Sequence, residues 1–118
     1  MTAQTILVVD DDQAVRLVAT EMLSTLGYQV DCAATGREAL ERLDEGAFDV
    51  VLLDVGMPIM SGVDVYRTLR GAKPEQKVVF ITGYAEEDLT EYLDDITQIV
   101  TKPFSISSLD EGLGRLQA

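Results

Sequence analysis

The feature that most constrains this chain is a regular alternation of short apolar runs with segments of helical period. Continuous apolar runs occupy Thr5–Val9, Val50–Leu53 and Val78–Ile81, and weaker ones occupy Gln29–Ala33 and Gln98–Thr101. Unbroken runs of this length are typical of strands that are covered on both faces. Because strands joined by helical crossovers lie parallel, the alternation predicts an α/β fold, a doubly wound sandwich around a five-stranded parallel sheet.

The segments between these strands carry apolar residues at spacings of three and four, so each is expected to pack one face of a helix on the sheet. Gly27, Gly46 and Gly71 follow the first three segments, where a helix end tolerates a left-handed residue. A short fourth helix is predicted over Glu86–Leu93, and a fifth from Ser105, its N-cap, to about Leu116. The chain has 118 residues, which fits a single domain over residues 1–118.

The net charge and the amino-acid composition exclude several kinds of binding and catalytic site. The chain has 9 basic and 21 acidic residues, a formal net charge of −12 that would repel a phosphate backbone, so direct binding to nucleic acid is not expected. One cysteine and no histidine exclude the usual zinc ligand sets and a Ser-His-Asp triad, and leave metal chemistry with oxygen ligands. That cysteine, Cys32, is expected to be reduced and half-buried. No membrane span or signal peptide is recognisable, so we expect a cytoplasmic location.

Polar residues end four of the predicted strands, and a parallel sheet brings these ends to one edge. They are three acids after the first strand, one after the third, a threonine after the fourth and a lysine after the fifth: Asp10, Asp11, Asp12, Asp54, Thr82 and Lys102. Clustered carboxylates repel one another unless a cation neutralises them. Mg²⁺ prefers oxygen ligands and leaves positions for phosphate oxygens, so the cluster predicts a Mg²⁺ site. Asp12 is expected mainly to cap the next helix.

A carboxylate beside such a cation can act as a nucleophile on phosphorus. Asp54 is the candidate for this role and would form an acyl phosphate. A transferring phosphoryl group spreads negative charge over its oxygens, so a second cation and a hydroxyl donor should lie opposite the metal. Lys102 and Thr82 supply those two groups.

Four fragments resemble the response-regulator receiver family of two-component signalling, and the resemblance covers nearly the whole chain. They are ILVVDDD, VVLLDVGMPIMSG, VVFITGYA and TKPF, in this order and spacing. The resemblance implies a flavodoxin-like (βα)5 sandwich with strand order 2-1-3-4-5. It also implies Mg²⁺-dependent transfer of a phosphoryl group from a phosphohistidine donor to Asp54. Such a domain signals through protein contacts and catalyses only its own phosphorylation and dephosphorylation.

The resemblance also gives roles to individual residues. The direct Mg²⁺ ligands would be the carboxylates of Asp11 and Asp54 and the backbone carbonyl of Gly56, while Asp10 would act through a metal-bound water. The phosphoryl oxygens would contact Thr82 and Lys102. The family further implies a cis peptide bond at Lys102–Pro103, and a turn at Gly62 that a side chain would hinder.

Two departures from the family pattern concern the conformational change that follows phosphorylation. The position that usually carries an aromatic residue is Ile99 here, and its branched side chain is stiff about χ1. The segment between Thr82 and Lys102 is also shorter than is usual in the family. We therefore expect phosphorylation to move the loop around Tyr84, while Ile99 stays nearly fixed.

The partner implied by the resemblance is a histidine kinase or a histidine phosphotransfer protein, docked over the first helix and the loops near the acids. Periodicity favours Val15 and Val18 as core residues, so Leu17, which falls off the apolar stripe, is the better candidate for an exposed contact. Whether the domain acts alone or belongs to a hybrid sensor histidine kinase stays open, as does self-association on phosphorylation.

Two other protein classes share parts of this pattern. A phosphatase of the haloacid dehalogenase type also uses a strand-end aspartate with Mg²⁺, but its second acid would lie at position 56, which is a glycine. A flavodoxin-like electron carrier would need a phosphate-cradling loop after the first strand, where three carboxylates would instead repel a flavin phosphate. Both are weaker interpretations than the receiver domain.

Overall fold

A computed structural model of the chain describes residues 4–83 and 89–116. The strands in these ranges are β1 (Thr5–Val9), β2 (Gln29–Ala33), β3 (Val50–Asp54), β4 (Lys77–Thr82) and β5 (Thr97–Thr101). The α-helices are α1 (Gln13–Thr25), α2 (Gly36–Glu45), α3 (Gly62–Ala72) and α4 (Ile106–Gly114). The strands pair in parallel in the order β2-β1-β3-β4-β5. The predicted sheet and its strand order are confirmed.

Apolar layers cover both faces of the sheet, which explains the unbroken apolar runs. Leu53 and Phe80 point to the layer that contains the buried residues of α2 and α3. Their chain neighbours Leu52 and Val79 point to the opposite layer, with the buried residues of α1 and α4. Successive side chains of a strand alternate between faces, so a strand between two helical layers has to be apolar throughout. Burial of each such side chain contributes about 1.5–3 kcal/mol.

The glycines predicted to end helices have three different roles. Gly27 follows α1 with a φ of 98°, the left-handed conformation that was predicted. Gly46 follows α2, as predicted, but it caps the helix in an extended conformation, with a φ of −155°, and not in a left-handed one. Gly71 lies inside α3, and the prediction that it ends the helix was also wrong. The guanidinium of Arg70 binds the backbone carbonyls of the chain leaving α3, so a side chain stabilises this exit.

The segment before β5 departs from the predicted fourth helix. The first part of Glu86–Leu93, like Tyr84, lies outside the described residues. In the described part Thr90–Tyr92 forms one 3₁₀ turn, and the chain is already extended at Leu93, so the prediction of an α-helix is wrong there. One short turn satisfies fewer backbone groups than a helix, and its stability has to come from side-chain packing.

The remaining expectations for the fold concern α4, Cys32 and membrane spans. Ser105 caps α4 as predicted, and the helix ends at Gly114 rather than near Leu116. Cys32 is a free, half-buried thiol with its Sγ 3.4 Å from the hydroxyl of Thr20. No helix in residues 4–83 and 89–116 has the length and apolar character needed to cross a bilayer.

Candidate functional site

Three carboxylates meet where β1 and β3 end. Asp10, Asp11 and Asp54 each place one carboxylate oxygen within 4.8 Å of the other two. Asp10 and Asp54 are buried, with exposed fractions of 2% and 6%, whereas Asp11 is exposed. The ammonium of Lys102, just past β5, lies 3.0 Å from Oδ2 of Asp10 and 3.4 Å from Oδ1 of Asp54. The structure therefore brings together the acids and the lysine that the sequence placed at strand ends.

Asp10 is held through each of its polar groups. Its N–H donates to the carbonyl of Ala33 at 3.2 Å, and its Oδ1 accepts the N–H of Asp12 at 2.9 Å. Its carbonyl accepts a hydrogen bond of 2.7 Å from the guanidinium of Arg16. Asp12 itself caps α1, as predicted, by accepting the N–H of Ala14 at 2.9 Å. The turn from β1 into α1 thus fixes the carboxylate that faces Lys102.

The electrostatics of the site reflect this crowding. Burial raises the pKa of Asp54 above its ordinary value, and the negative charge of Asp10 raises it further. The charge of Lys102 and the N–H of Gly56 act in the opposite direction but do not cancel the increase. Burial lowers the pKa of Lys102, but its hydrogen bond to Asp10 and the charges of both acids outweigh burial, so that pKa is raised. The cluster therefore carries excess negative charge that an added cation would offset.

Thr82 and Gly56 complete the wall around the acids. Thr82 is buried at the end of β4, and its carbonyl accepts the N–H of Lys102 at 2.8 Å, which ties the ends of β4 and β5 together. The N–H of Gly56 donates to Oδ1 of Asp54 at 3.3 Å. The peptide bond between Lys102 and Pro103 is cis, as predicted. All these residues line one cavity of about 700 Å³.

Gly62 begins α3 close to the backbone of Asp54. A Cβ at this position would lie 2.3 Å from the backbone oxygen of Asp54 and 2.8 Å from Cα of Val55. The N–H of Gly62 donates to the carbonyl of Val55 at 3.1 Å. The expectation that a side chain would hinder this turn is confirmed, and the cause is close backbone contact.

The donor set fits Mg²⁺. Asp10, Asp11 and Asp54 offer carboxylate oxygens only, which Mg²⁺ accepts while keeping several waters. Soft metals prefer thiolate ligands, and the single cysteine, Cys32, lies on β2 rather than in this group.

The helix beside the cavity presents apolar residues to solvent. Leu17 and Val18 are 60% and 45% exposed, and Val15 is partly buried. The exposure of Leu17 agrees with the prediction, whereas the assignment of Val18 to the core is wrong. Ala19 and Leu23 make the buried contacts of α1, so the buried stripe of this helix is narrower than its apolar spacing indicated.

Comparisons with known proteins agree with this geometry. The family model of the response regulator receiver domain matches residues 6–113. The chain is 41% identical over 109 residues to the sensor kinase CckA of Brucella abortus, a match that covers 89% of this chain and 12% of CckA. It is 40% identical over 114 residues to the transcriptional regulatory protein KdpE of Mycobacterium tuberculosis, covering 96% of this chain and 49% of KdpE. The chain therefore spans about an eighth and about half of these relatives.

Solved structures show the same fold. The chemotaxis protein CheY4 of Vibrio cholerae aligns with a TM-score of 0.89 at 28% identity, over 98% of this chain and 100% of CheY4. The response regulator TrrA of Thermotoga maritima, in complex with Mg²⁺-BeF, aligns with a TM-score of 0.86 at 35% identity, over 97% and 99% of the two chains. TrrA in complex with the histidine kinase ThkA gives 0.84 at 33% identity, over 98% and 99%.

The match along most of the chain, together with the acid cluster, decides between the three interpretations of the sequence. It favours a signalling domain over a phosphatase of the haloacid dehalogenase type, because receiver domains are signalling modules rather than classical enzymes. It also favours a signalling domain over a flavin carrier, because the clustered carboxylates would repel a flavin phosphate. Receiver domains bind Mg²⁺ at an acidic pocket, and an acidic pocket is what β1 and β3 build here. The chain belongs to the response regulator receiver domain family.

Proposed function

We propose that this domain accepts a phosphoryl group on Asp54 from a phosphohistidine donor, in a Mg²⁺-dependent reaction. The observation that carries the proposal is the position of Asp54, which is buried at the end of β3 within 4.8 Å of two further carboxylates and 3.4 Å from an ammonium. In the transfer, a carboxylate oxygen of Asp54 attacks phosphorus, the new O–P bond forms, and the N–P bond to the donor imidazole breaks. The domain would otherwise catalyse only the hydrolysis of its own acyl phosphate.

Each remaining site residue has a role in this proposal. Mg²⁺ would be held by Asp11, Asp54 and the carbonyl of Gly56, with Asp10 acting through a metal-bound water. The ion would supply positive charge to the phosphoryl oxygens. Lys102 would contribute a second positive charge, supported by its distances to the two buried acids. Thr82 would donate its hydroxyl to a phosphoryl oxygen, supported by its place at the adjacent strand end.

The proposed partner is a histidine kinase or a histidine phosphotransfer protein. The structure of TrrA with the kinase ThkA supports this class of partner. The apolar rim of the cavity, formed by Val15 and Val18, and the neighbouring Leu17 offer a surface on α1 beside Asp54.

We take residues 1–118 as one signalling unit in the cytoplasm that binds neither nucleic acid nor membrane. It would act alone or as the receiver of a hybrid sensor kinase.

The acceptor is tested by intact mass after incubation with acetyl phosphate, with and without Mg²⁺. We expect one added phosphoryl group that requires the ion. The Asp54→Asn variant should show none, because an amide oxygen is a poor nucleophile and the acyl phosphate cannot form. Asp64→Asn is the matched control, since Asp64 is an exposed acid at the start of α3. Phosphorylation that persists in Asp54→Asn would end the proposal.

The metal ligand is tested separately by a Mg²⁺ titration of the Asp11→Ala variant. Few protein ligands hold this ion, so the loss of a direct carboxylate should weaken binding strongly. Unaltered affinity would remove Asp11 from the ligand set.

Sedimentation with and without beryllofluoride would show whether the domain self-associates when phosphorylated.

A further inference from the structure

Arg16 contacts the site although neither its charge nor the resemblance singled it out. It lies near the start of α1, and its guanidinium donates a hydrogen bond of 2.7 Å to the backbone carbonyl of Asp10. Asp10 is 2% exposed, so its carbonyl has little access to water. A buried carbonyl without a donor is unfavourable, and a charged donor is a strong one.

The carbonyl that Arg16 binds belongs to the peptide group between Asp10 and Asp11. This peptide group is planar, so a hydrogen bond that holds its oxygen also fixes the plane in which the N and Cα atoms of Asp11 lie. The other polar groups of Asp10 are held by Ala33, Asp12 and Lys102. Asp11, by contrast, is exposed, and the Cα from which its side chain leaves lies in this peptide plane.

We propose that Arg16 is a positioning residue for the acid cluster. By holding the carbonyl of Asp10, it directs the carboxylate of Asp11 toward those of Asp10 and Asp54. This inference rests on the proposed function, in which Asp11 is a direct Mg²⁺ ligand. Loss of a group that orients metal ligands typically weakens metal binding by about 10- to 100-fold. We expect a loss at the lower end of this range when Arg16 is replaced, because Arg16 acts through the backbone and not on the carboxylate itself.

The test is Mg²⁺ affinity, measured from the amide chemical shifts of Gly56 and Lys102 during a titration. Arg16→Met keeps an apolar stem but has no donor, and we expect about tenfold weaker binding. Arg16→Lys keeps the charge but replaces the planar fork with one flexible ammonium, so its affinity should lie between those of Arg16→Met and the unsubstituted chain. Arg37→Met is the matched control, because the side chain of Arg37 is 87% exposed on α2.

Urea unfolding in Mg²⁺-free buffer separates a loss of folding from a loss of binding. Unchanged Mg²⁺ affinity in a folded Arg16→Met variant would overturn the proposal. Unchanged affinity in Arg16→Lys would overturn it as well, because the proposal requires the planar guanidinium to hold the carbonyl of Asp10 in place. This variant decides the question if Arg16→Met does not fold. A chain that binds Mg²⁺ but takes no phosphoryl group would contradict the proposed function and leave the comparison at Arg16 valid.

Discussion

The acid cluster is held mainly by directional hydrogen bonds, whereas the turn that precedes β5 is held mainly by packed rings. In the cluster, the single residue Asp10 contacts β2, α1 and Lys102, each through a different polar atom. In the turn, the ring of Tyr92 lies with its centroid 5.2 Å from that of Tyr66 and 6.2 Å from that of Phe80. Its hydroxyl accepts a hydrogen bond of 2.9 Å from the exposed Arg67.

This difference has a physical consequence. Hydrogen bonds and charge pairs in a buried site specify distances and angles, so small backbone shifts should change the chemistry there. Ring packing is less directional, and a short 3₁₀ turn contributes little stability of its own. We therefore expect that changes near the acids alter both stability and phosphorylation, whereas changes near Tyr92 alter stability alone.

The largest expected effect on stability is that of Gly62→Ala. The added Cβ would lie 2.3 Å from the backbone oxygen of Asp54, and backbone cannot yield as a flexible side chain would. We expect a loss of about 3 kcal/mol in the free energy of unfolding, together with slower phosphorylation, because Asp54 has to shift. Urea unfolding and the phosphorylation rate measure the two effects.

The control for that change lies on the same helix. A Cβ at Gly71 meets no atom within 4 Å, and Gly71 lies in the last turn of α3. Gly71→Ala should therefore stabilise the domain by about 0.5 kcal/mol and leave the phosphorylation rate unchanged. Equal effects of the two substitutions would contradict the role assigned to the close contact at Gly62.

A smaller loss is expected at the turn before β5. Tyr92→Ala removes a partly buried ring from its contacts with Tyr66 and Phe80, which should cost about 2 kcal/mol. Tyr92→Phe, which keeps the ring, should cost less than about 1 kcal/mol. Both variants should take up the phosphoryl group at the normal rate. A slower rate in either would show that the two regions are coupled and would contradict the comparison.

The sequence predicts the acid cluster better than it predicts the turn, because strand ends place the acids whereas ring packing places the turn. Strand ends of a parallel sheet meet at one edge whatever surrounds them, so the positions of Asp54 and Lys102 follow from the pattern alone. The turn depends on which rings pack together, and the positions of Tyr66, Phe80 and Tyr92 along the chain do not reveal that.

The errors at helix ends have a similar origin. Gly27 adopts the expected left-handed conformation, since only local backbone geometry is involved. The end of α3 instead depends on Arg70, which binds carbonyls of Lys73, Pro74 and Gln76 in the following chain. The exposure of Val18 depends on how α1 is rotated against the sheet, and apolar spacing leaves that rotation undetermined within about one residue.

Ile59 allows a test of backbone strain in the loop after β3. It is fully exposed and has a φ of 67°, a conformation that is unfavourable for a branched residue. Ile59→Asn should stabilise the domain by about 1 kcal/mol, since asparagine tolerates this conformation and Ile59 makes no buried contact that would be lost. Ile59→Val, which keeps the branch, is the control and should leave the free energy of unfolding unchanged. No gain in Ile59→Asn would mean that this backbone conformation is not strained.

The smallest effect is expected at Ile99 when Mg²⁺ and beryllofluoride are added. Ile99 pairs with Phe80 between β4 and β5 and packs on the α2–α3 face of the sheet, and its side chain is stiff about χ1. Amide chemical shifts should therefore change little at Ile99 and more at Gly83, directly after β4. Asp54→Asn under the same conditions should show no change at either residue. Large changes at Ile99, with Gly83 silent, would mean that β5 carries the signal despite its branched residue.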